Sequence, residues 1–284
     1  MTPRHGAGPS GRVPWRRRLH GLVGALRGRL GLVPADGLAE DPQAGDPSPR
    51  DAPGVGHGRP VMPGLGPHAH GFREDAARID LAARPRQGRL GDCWVIAAML
   101  AVHEQAPERI AAALQPCGDG TYRVVLPAGE VDVDRRMPVD AAGRWVYATQ
   151  SGSGPGWPGL IEKALAAHLA GSYGFLARGL GRYGLRALTG TRPRMHLLLP
   201  GSARISELLG EGRAVLASTH PLSPLVRGPH GRLPADHVMA VVGADAASGH
   251  VHLRNPWRPD ELLVLDRRSF RRGFLSLDVS GPLG

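Results

Sequence analysis

The sequence predicts an α+β domain that follows a long arm without fixed structure, and two observations lead to this prediction. Residues 1–75 carry many of the glycines and prolines and almost no apolar periodicity, whereas residues 78–279 alternate apolar segments with turn signals. Within the domain, helical patterns dominate the first half and strand patterns the second. We therefore expect an arm over residues 1–75 and a domain over residues 76–284, with a helical lobe at about 78–185 and a sheet lobe at about 190–279.

The predicted arm combines a basic block with a linker. Residues 34–72 are so rich in Pro and Gly that they cannot bury enough apolar surface to offset the entropy of ordering. The first thirty residues hold seven arginines and no acidic residue. The rest of the positive charge, in a chain of net charge +10, is spread along the sequence, whereas phosphate-binding proteins cluster it. We expect no specific nucleic-acid partner, and the basic block leaves open only a weak contact with a membrane surface or another polyanion.

The cysteine content and the hydropathy indicate the cellular compartment in which the chain is expected. The chain has two cysteines, Cys93 and Cys117, too few for a disulfide framework in a domain of this size. No run of eighteen apolar residues occurs, and Arg27 and Arg29 interrupt the weak signal-peptide pattern at residues 19–33. We expect a reducing, cytoplasmic location, with export by a non-classical route left open.

The elements of the domain follow from its apolar patterns. A nearly continuous apolar run at residues 95–103 predicts a buried helix that starts near Cys93. Further helices are predicted from residue 157 or 158 to 169 and from 202 or 205 to 209, with a Gly-rich connection at 174–190. Short strands are predicted at residues 122–126, 130–134, 144–149, 214–219, 237–242, 250–253 and 262–265.

The segment from Gln87 to Trp94, just before and at the start of the first helix, carries a candidate nucleophile. A free thiol is only about a few per cent thiolate at neutral pH, and the N–H groups and positive dipole end of a helix N-terminus favour thiolate at Cys93. Gln87 precedes Cys93 by six residues, so its side-chain amide can approach the same point as the Cys93 backbone N–H. Two such donors can hold an oxyanion. A cysteine at the head of an apolar helix is otherwise a small core residue, so the assignment needs a base elsewhere.

A histidine and an asparagine far along the chain supply the missing partners. His237 opens an apolar strand that would fix its imidazole, and it stands out among thirteen histidines for that reason. Asn255 closes the following strand, where its amide can orient the imidazole. Trp257 can shield the resulting hydrogen bond from water.

These segments resemble the calpain family of cysteine peptidases. Gln87 to Trp94 resembles the family motif Gln-Gly-x-Leu-Gly-Asp-Cys-Trp, and Arg254 to Trp257 resembles its Asn-Pro-Trp segment. Four segments between them also resemble family segments in the family's order, at residues 133–139, 157–164, 171–173 and 188–190. Together they cover about residues 78 to 278. The resemblance implies a papain-like fold, with Cys93 on a helical lobe, His237 and Asn255 on a sheet lobe, and the active site in the cleft between them.

The resemblance also implies a function, with some departures from the family pattern. It implies a Cys-His-Asn triad with Gln87 in the oxyanion hole and with Trp94 and Trp257 as supporting residues. The family usually has Gly before the histidine, where this chain has Asp236. No EF-hand calcium loop occurs. We expect a calcium-independent or weakly calcium-dependent endopeptidase that acts on a protein or peptide and needs no cofactor.

Two other functions stay open at this point. One is a papain-fold acyltransferase or deamidase that modifies a protein side chain, although the motif order does not resemble the transglutaminases, which orient histidine with Asp. The other is a calpain-like module that binds without catalysis. All four catalytic positions are filled in this sequence, which favours an enzyme.

Overall fold

A computed structural model describes residues 60–118, 120–151 and 154–284. Most of the predicted arm, including the arginine block, lies outside the described residues. The α-helices are α1 Cys93–Gln105, α2 Pro107–Ala112, α3 Gly156–Ala170, α4 Gly181–Thr189, α5 Ser202–Gly210 and α6 Arg267–Gly273. Short 3-10 helices span Tyr173–Ala177 and Ser223–Leu225. In the part of the chain that the structure describes, no helix is both long and apolar enough to cross a bilayer.

The strands in chain order are β1 Gly71–Glu74, β2 Pro85–Arg86, β3 Leu114–Pro116, β4 Tyr122–Leu126, β5 Gly129–Val133, β6 Arg136–Val139, β7 Thr149–Gln150, β8 Arg194–His196, β9 Arg213–Thr219, β10 Arg227–Gly228, β11 Gly231–Arg232, β12 Val238–Ala244, β13 Val251–Asn255, β14 Arg258–Leu265 and β15 Phe274–Pro282. The largest sheet has six strands in the order β14-β13-β12-β9-β15-β8, and all its pairings are antiparallel. Smaller sheets pair β1 with β6, β2 with β7 and β10 with β11, and join β3, β4 and β5. Separate helical and antiparallel-sheet regions confirm the α+β class.

The six-stranded sheet is covered on both faces. Side chains of β9 and β12 alternate between two hydrophobic cores, as the two-residue period of a strand requires. Leu216 and Ala240 join the core around α1 and α3, whereas Val215 and Met239 join the core that contains α5 and α6 residues. Because both faces of β9 and β12 are buried, the sequences of these two strands form continuous apolar runs.

Helix α1 is buried all round. Each residue from Trp94 to Val102 is buried, and the helix packs against α4, β9 and β12. An apolar surface on every side is typical of a helix at the centre of a domain. Its first residue, Cys93, therefore lies where the helix emerges from the core.

Several predicted elements agree with the structure and two do not. Helices α1, α3 and α5 and strand β4 lie where the apolar patterns predicted them. The strand predicted at residues 144–149 is wrong, because the backbone there makes only an isolated bridge at Trp145 before β7 begins. The connection predicted at residues 174–190 contains helix α4. Glycine has a low helix propensity, but in α4 Gly184 allows close packing against α1.

The predicted end of the arm at residue 75 is also wrong for the part of it that the structure describes. Strand β1 pairs with β6, from Gly71 opposite Val139 to Glu74 opposite Arg136. Asp75 is buried, and its carboxylate accepts hydrogen bonds from the backbone N–H of Gly156 at 2.8 Å. A composition rich in Pro and Gly does not reveal these long-range partners, so the domain starts earlier than predicted.

Replacing Gly184 with Ala should destabilise the fold. An added Cβ would lie 2.4 Å from the carbonyl oxygen of Trp94 and 3.0 Å from Cβ of Ala98, both on α1. Because a backbone atom cannot yield, we expect the free energy of unfolding to fall by about 1–3 kcal/mol in chemical denaturation. Gly210→Ala is the matched control, since nothing lies within 4 Å of its added Cβ. Equal stabilities of the two variants would contradict this packing.

Candidate active site

Two glycines allow the loop before α1 to pack closely against neighbouring backbone. A Cβ at Gly88 would lie 2.4 Å from the carbonyl oxygens of Val146 and Tyr147, and one at Gly91 would lie 2.6 Å from that of Ala177. The backbone N–H of Arg89 donates to the Val146 carbonyl at 2.6 Å. Only glycine permits such close backbone approach. The loop is thereby fixed, and Cys93 becomes the first residue of α1.

The Cys93 thiol lies beside the start of β12. It is partly buried, and burial raises its pKa to about 11. A hydrogen bond from the backbone N–H of Val238 opposes this rise, whereas the negative charge of Asp92 adds to it. Val238 directly follows His237, so the structure brings the predicted nucleophile to the predicted base.

His237 is held by its neighbours on two sides. Its backbone N–H donates to Oγ1 of Thr219 at 2.9 Å, and the N–H and hydroxyl of Thr219 donate to the His237 carbonyl. Its ring Nε2 lies 2.9 Å from Oδ1 of Asn255. Because an amide oxygen only accepts, Nε2 carries the hydrogen and Nδ1 is the basic ring nitrogen. Burial lowers the pKa of His237 to about 4, and the hydrogen bond with Asn255 partly opposes this.

Trp257 covers the pair of His237 and Asn255. Its indole ring lies 4.1 Å from the imidazole, centroid to centroid, at an interplanar angle of 32°. Its backbone N–H also donates to Oδ1 of Asn255 at 3.0 Å, which fixes the amide orientation. The indole itself is 44% exposed, so it forms an outer wall of the site.

Gln87 is held in the same region by a hydrogen bond to the turn after Asn255. Its backbone N–H donates to the carbonyl of Pro256 at 2.9 Å. Its side-chain Nε2 donates one hydrogen to the Leu90 carbonyl at 2.7 Å, which leaves the second N–H for another acceptor. Within the described residues, its buried Oε1 accepts no hydrogen bond.

Trp94 lies in the core beside the site. Its indole N–H donates to the Leu176 carbonyl at 2.8 Å, and only 4% of the residue is exposed. A Cβ on Gly179 would lie 2.4 Å from its ring. The structure thus places Trp94 as a packing residue that anchors the start of α1.

These side chains form an arrangement suited to nucleophilic chemistry. Burial alone favours the neutral thiol of Cys93 and the neutral imidazole of His237. Charge separation between them is therefore favourable only where thiolate and imidazolium stabilise each other.

The described carboxylates do not fit a calcium site. Among residues 60–118, 120–151 and 154–284, no three His, Cys, Asp or Glu side chains come together to hold a metal ion. Calcium takes six to eight oxygen ligands, several of them carboxylates. Asp134 instead pairs with Lys163, and Asp140 pairs with Arg144.

Sequence reasoning missed two residues at the site. Asp92 occupies the N-cap position of α1, but its side chain makes no cap hydrogen bond. Its buried carboxyl group instead interacts with that of Glu162, in α3. Thr219, which fixes the His237 backbone, was also missed. No local signal could have found these pairs, since their partners are far apart in sequence.

Comparison with known proteins shows the family to which the chain is similar. Residues 67–262 match the family described as calpain family cysteine protease. Calpain-type cysteine protease ADL1 of Oryza sativa subsp. japonica is 30% identical over 198 residues, which cover 60% of this chain and 9% of that protein. Calpain-14 of Homo sapiens is 34% identical over 116 residues, 37% of this chain and 16% of the relative. Calpain-8 of Rattus norvegicus is 27% identical over 240 residues, 74% of this chain and 32% of the relative.

The chain thus spans between 9% and 32% of the length of these relatives. Because the family match covers well over half of its residues, this chain belongs to the calpain family of cysteine proteases.

Proposed function

We propose that this chain is a cysteine endopeptidase that hydrolyses peptide bonds of a protein or peptide through Cys93, His237 and Asn255. The observation that carries the proposal is the hydrogen bond from His237 Nε2 to Asn255 Oδ1, covered by Trp257, next to a thiol at a helix N-terminus. The proposed architecture is papain-like, with α1 in a helical lobe and the six-stranded sheet in the other.

In the proposed mechanism, Cys93 Sγ attacks the carbonyl carbon of the scissile bond while its proton passes to Nδ1 of His237. The oxyanion of the tetrahedral intermediate accepts hydrogen bonds from the Cys93 backbone N–H and the second side-chain N–H of Gln87. The imidazolium then gives its proton to the leaving amine, and a thioester remains on Cys93. Water, deprotonated by His237, hydrolyses the thioester and releases the carboxylate product and the thiol.

Asn255 and Trp257 serve this mechanism by orientation. The Asn255 oxygen keeps the hydrogen on Nε2, so Nδ1 remains the nitrogen that receives the thiol proton. Trp257 excludes water from one side of this hydrogen bond, and a hydrogen bond is stronger in a drier environment.

We propose further that this core is calcium-independent or only weakly calcium-dependent. The carboxylates of Asp134 and Asp140 support this proposal, because each is already paired with a cationic side chain.

Cys93→Ala should abolish hydrolysis of an unfolded protein substrate such as casein. Removal of the nucleophile should lower kcat/KM by about 1,000-fold or more. The matched control is Cys117→Ala, because Cys117 is also a free cysteine but is exposed. An epoxide-type thiol probe should label Cys93 in the wild type.

Two results would overturn the Cys93 assignment: hydrolysis that survives in Cys93→Ala, or labelling confined to Cys117. Mass spectrometry of the same substrate separates the other functions. Conversion of Gln to Glu or acyl transfer without cleavage would indicate a protein-modifying enzyme, and no change of the substrate would indicate a binding module.

Asn255→Ala should lower kcat/KM by about 100-fold, because the imidazole loses the acceptor that orients it. The measurement is steady-state kinetics with a fluorogenic peptide, and a urea melt checks that the variant is folded. Wild-type kinetics in the folded variant would show that His237 needs no orienting partner and would contradict the triad.

Activity should be the same in excess chelator and in millimolar calcium if the core needs no metal. The assay compares initial rates in the two buffers at equal ionic strength. A loss of activity in chelator that added calcium restores would contradict this proposal without affecting the Cys93 assignment.

A further inference from the structure

Two buried carboxyl groups lie close together at the start of α1. Asp92, the residue before α1, is 0% exposed, and Glu162, in α3, is 1% exposed. Their carboxyl groups lie within interaction distance of each other, and both side-chain oxygens of Asp92 are buried without a hydrogen-bond partner among the described residues. The proposed mechanism uses neither group.

Few hydrogen-bond donors serve this pair. The backbone N–H of Ala148 donates to the Glu162 carboxylate, at 3.1 Å and 3.3 Å from its two oxygens. Neither Asp92 side-chain oxygen accepts a hydrogen bond from an N–H or hydroxyl group among the described residues. The Asp92 backbone carbonyl, by contrast, accepts from Val95 and Ile96 at the start of α1. The aspartate is thus built into the helix end with its side chain turned to Glu162.

The described surroundings also supply no positive charge. Lys163 follows Glu162 but bonds Asp134 at 2.5 Å. The other titratable groups that face the pair are the Cys93 thiol on α1, the Tyr147 hydroxyl before β7 and the Tyr173 hydroxyl in the 3-10 helix. All three are neutral at neutral pH, since burial raises the pKa of each. Two adjacent carboxylates in such surroundings would be strongly destabilising.

We infer that Asp92 and Glu162 share one proton, and that this acid–carboxylate hydrogen bond joins α1 to α3 and positions the Cys93 nucleophile. The catalytic part of this inference rests on the proposed peptidase function. A single shared proton leaves one negative charge on the pair and gives one oxygen of each partner a hydrogen-bonded neighbour.

The titration of the pair agrees with this arrangement. Burial raises the pKa of Asp92 to about 6, and the hydrogen bond with Glu162 opposes the rise. Burial also raises the pKa of Glu162 well above its ordinary value of 4.5, and the charge of Asp92 raises it further.

Loss of the shared proton should change both the stability of the fold and the pKa of the Cys93 thiol. A carboxyl whose pKa is higher in the folded chain contributes stability that is complete below its unfolded pKa and is lost as pH rises through its folded pKa. Stability should therefore decline as pH rises above about 4.5. The second negative charge would also raise the pKa of Cys93, since the charge of Asp92 already has that effect.

The stability experiment compares wild type with Glu162→Gln and Asp92→Asn over this pH range. The side-chain amide introduced in each variant always carries N–H hydrogens, one of which can replace the shared proton. Folding of either variant therefore requires no uptake of a proton by the pair. We expect the unfolding constant of wild type to rise, relative to either variant, by up to about tenfold per pH unit, the limit for a difference of one proton. A constant ratio across the range would overturn the inference.

The second experiment measures alkylation of Cys93 by iodoacetamide against pH, in a Cys117→Ala background. Wild type should show a shallower rise of the alkylation rate with pH in the alkaline range than Glu162→Gln and Asp92→Asn show. Asp278→Asn is the control, because Asp278 is also buried with a pKa raised to about 6 but does not influence the Cys93 thiol. It should flatten the stability profile while keeping the wild-type alkylation profile. An equally shallow rise of the alkylation rate in wild type and in both amide variants would contradict the positioning role.

Neither the unfolding measurement nor the alkylation measurement requires peptide hydrolysis. Failure of the proposed function can therefore be distinguished from failure of the shared-proton inference. An inactive wild type with the expected pH profiles would refute the proposed function and keep the shared proton. An active wild type whose profiles match those of the variants would refute the shared proton alone. If both variants fail to fold, infrared spectroscopy of wild type at neutral pH decides. It should detect the carbonyl stretch of one buried carboxylic acid, and its absence would overturn the inference.

Discussion

Burial of helix α1 is the constraint on which the rest of the structure depends. Every residue from Trp94 to Val102 is enclosed, by α4 on one side and by β9 and β12 on another. Such a helix cannot shift or rotate without opening a cavity in a close-packed core. Its first residue, Cys93, is therefore fixed against the start of β12, where His237 precedes the strand.

The same burial sets the electrostatics of the site. It raises the pKa of Cys93 to about 11 and of Asp92 to about 6, and it lowers the pKa of His237 to about 4. Each change favours the neutral form of the group. Charge in such a site is stable only when it is shared between neighbours. This is why direct pairs, of His237 with Asn255 and of Asp92 with Glu162, dominate the geometry.

Both ends of α1 contact the sheet that carries the other candidate catalytic groups, His237 and Asn255. At the start, the thiol of Cys93 accepts from the backbone of Val238. Near the end, Glu104 forms ion pairs with Arg84 at 2.6 Å and with Arg254 at 2.9 Å. Arg254 directly precedes Asn255 in β13. These ion pairs are partly exposed and add modestly to stability, but they fix the helix against the strand that orients the imidazole.

The sequence by itself determined the α+β class, the start of α1, and the residues expected at the site. It did so because apolar periodicity is local and because the motif around Cys93 keeps its spacing along the chain. Only the tertiary structure decided the helix at residues 181–189, the pairing of β1 with β6, and the contact of Asp92 with Glu162. In each case the stabilising partner is distant in sequence. A glycine that weakens a helix locally can be required by close packing, and two acids that look solvated can be buried together, because packing and desolvation depend on neighbours that local patterns do not reveal.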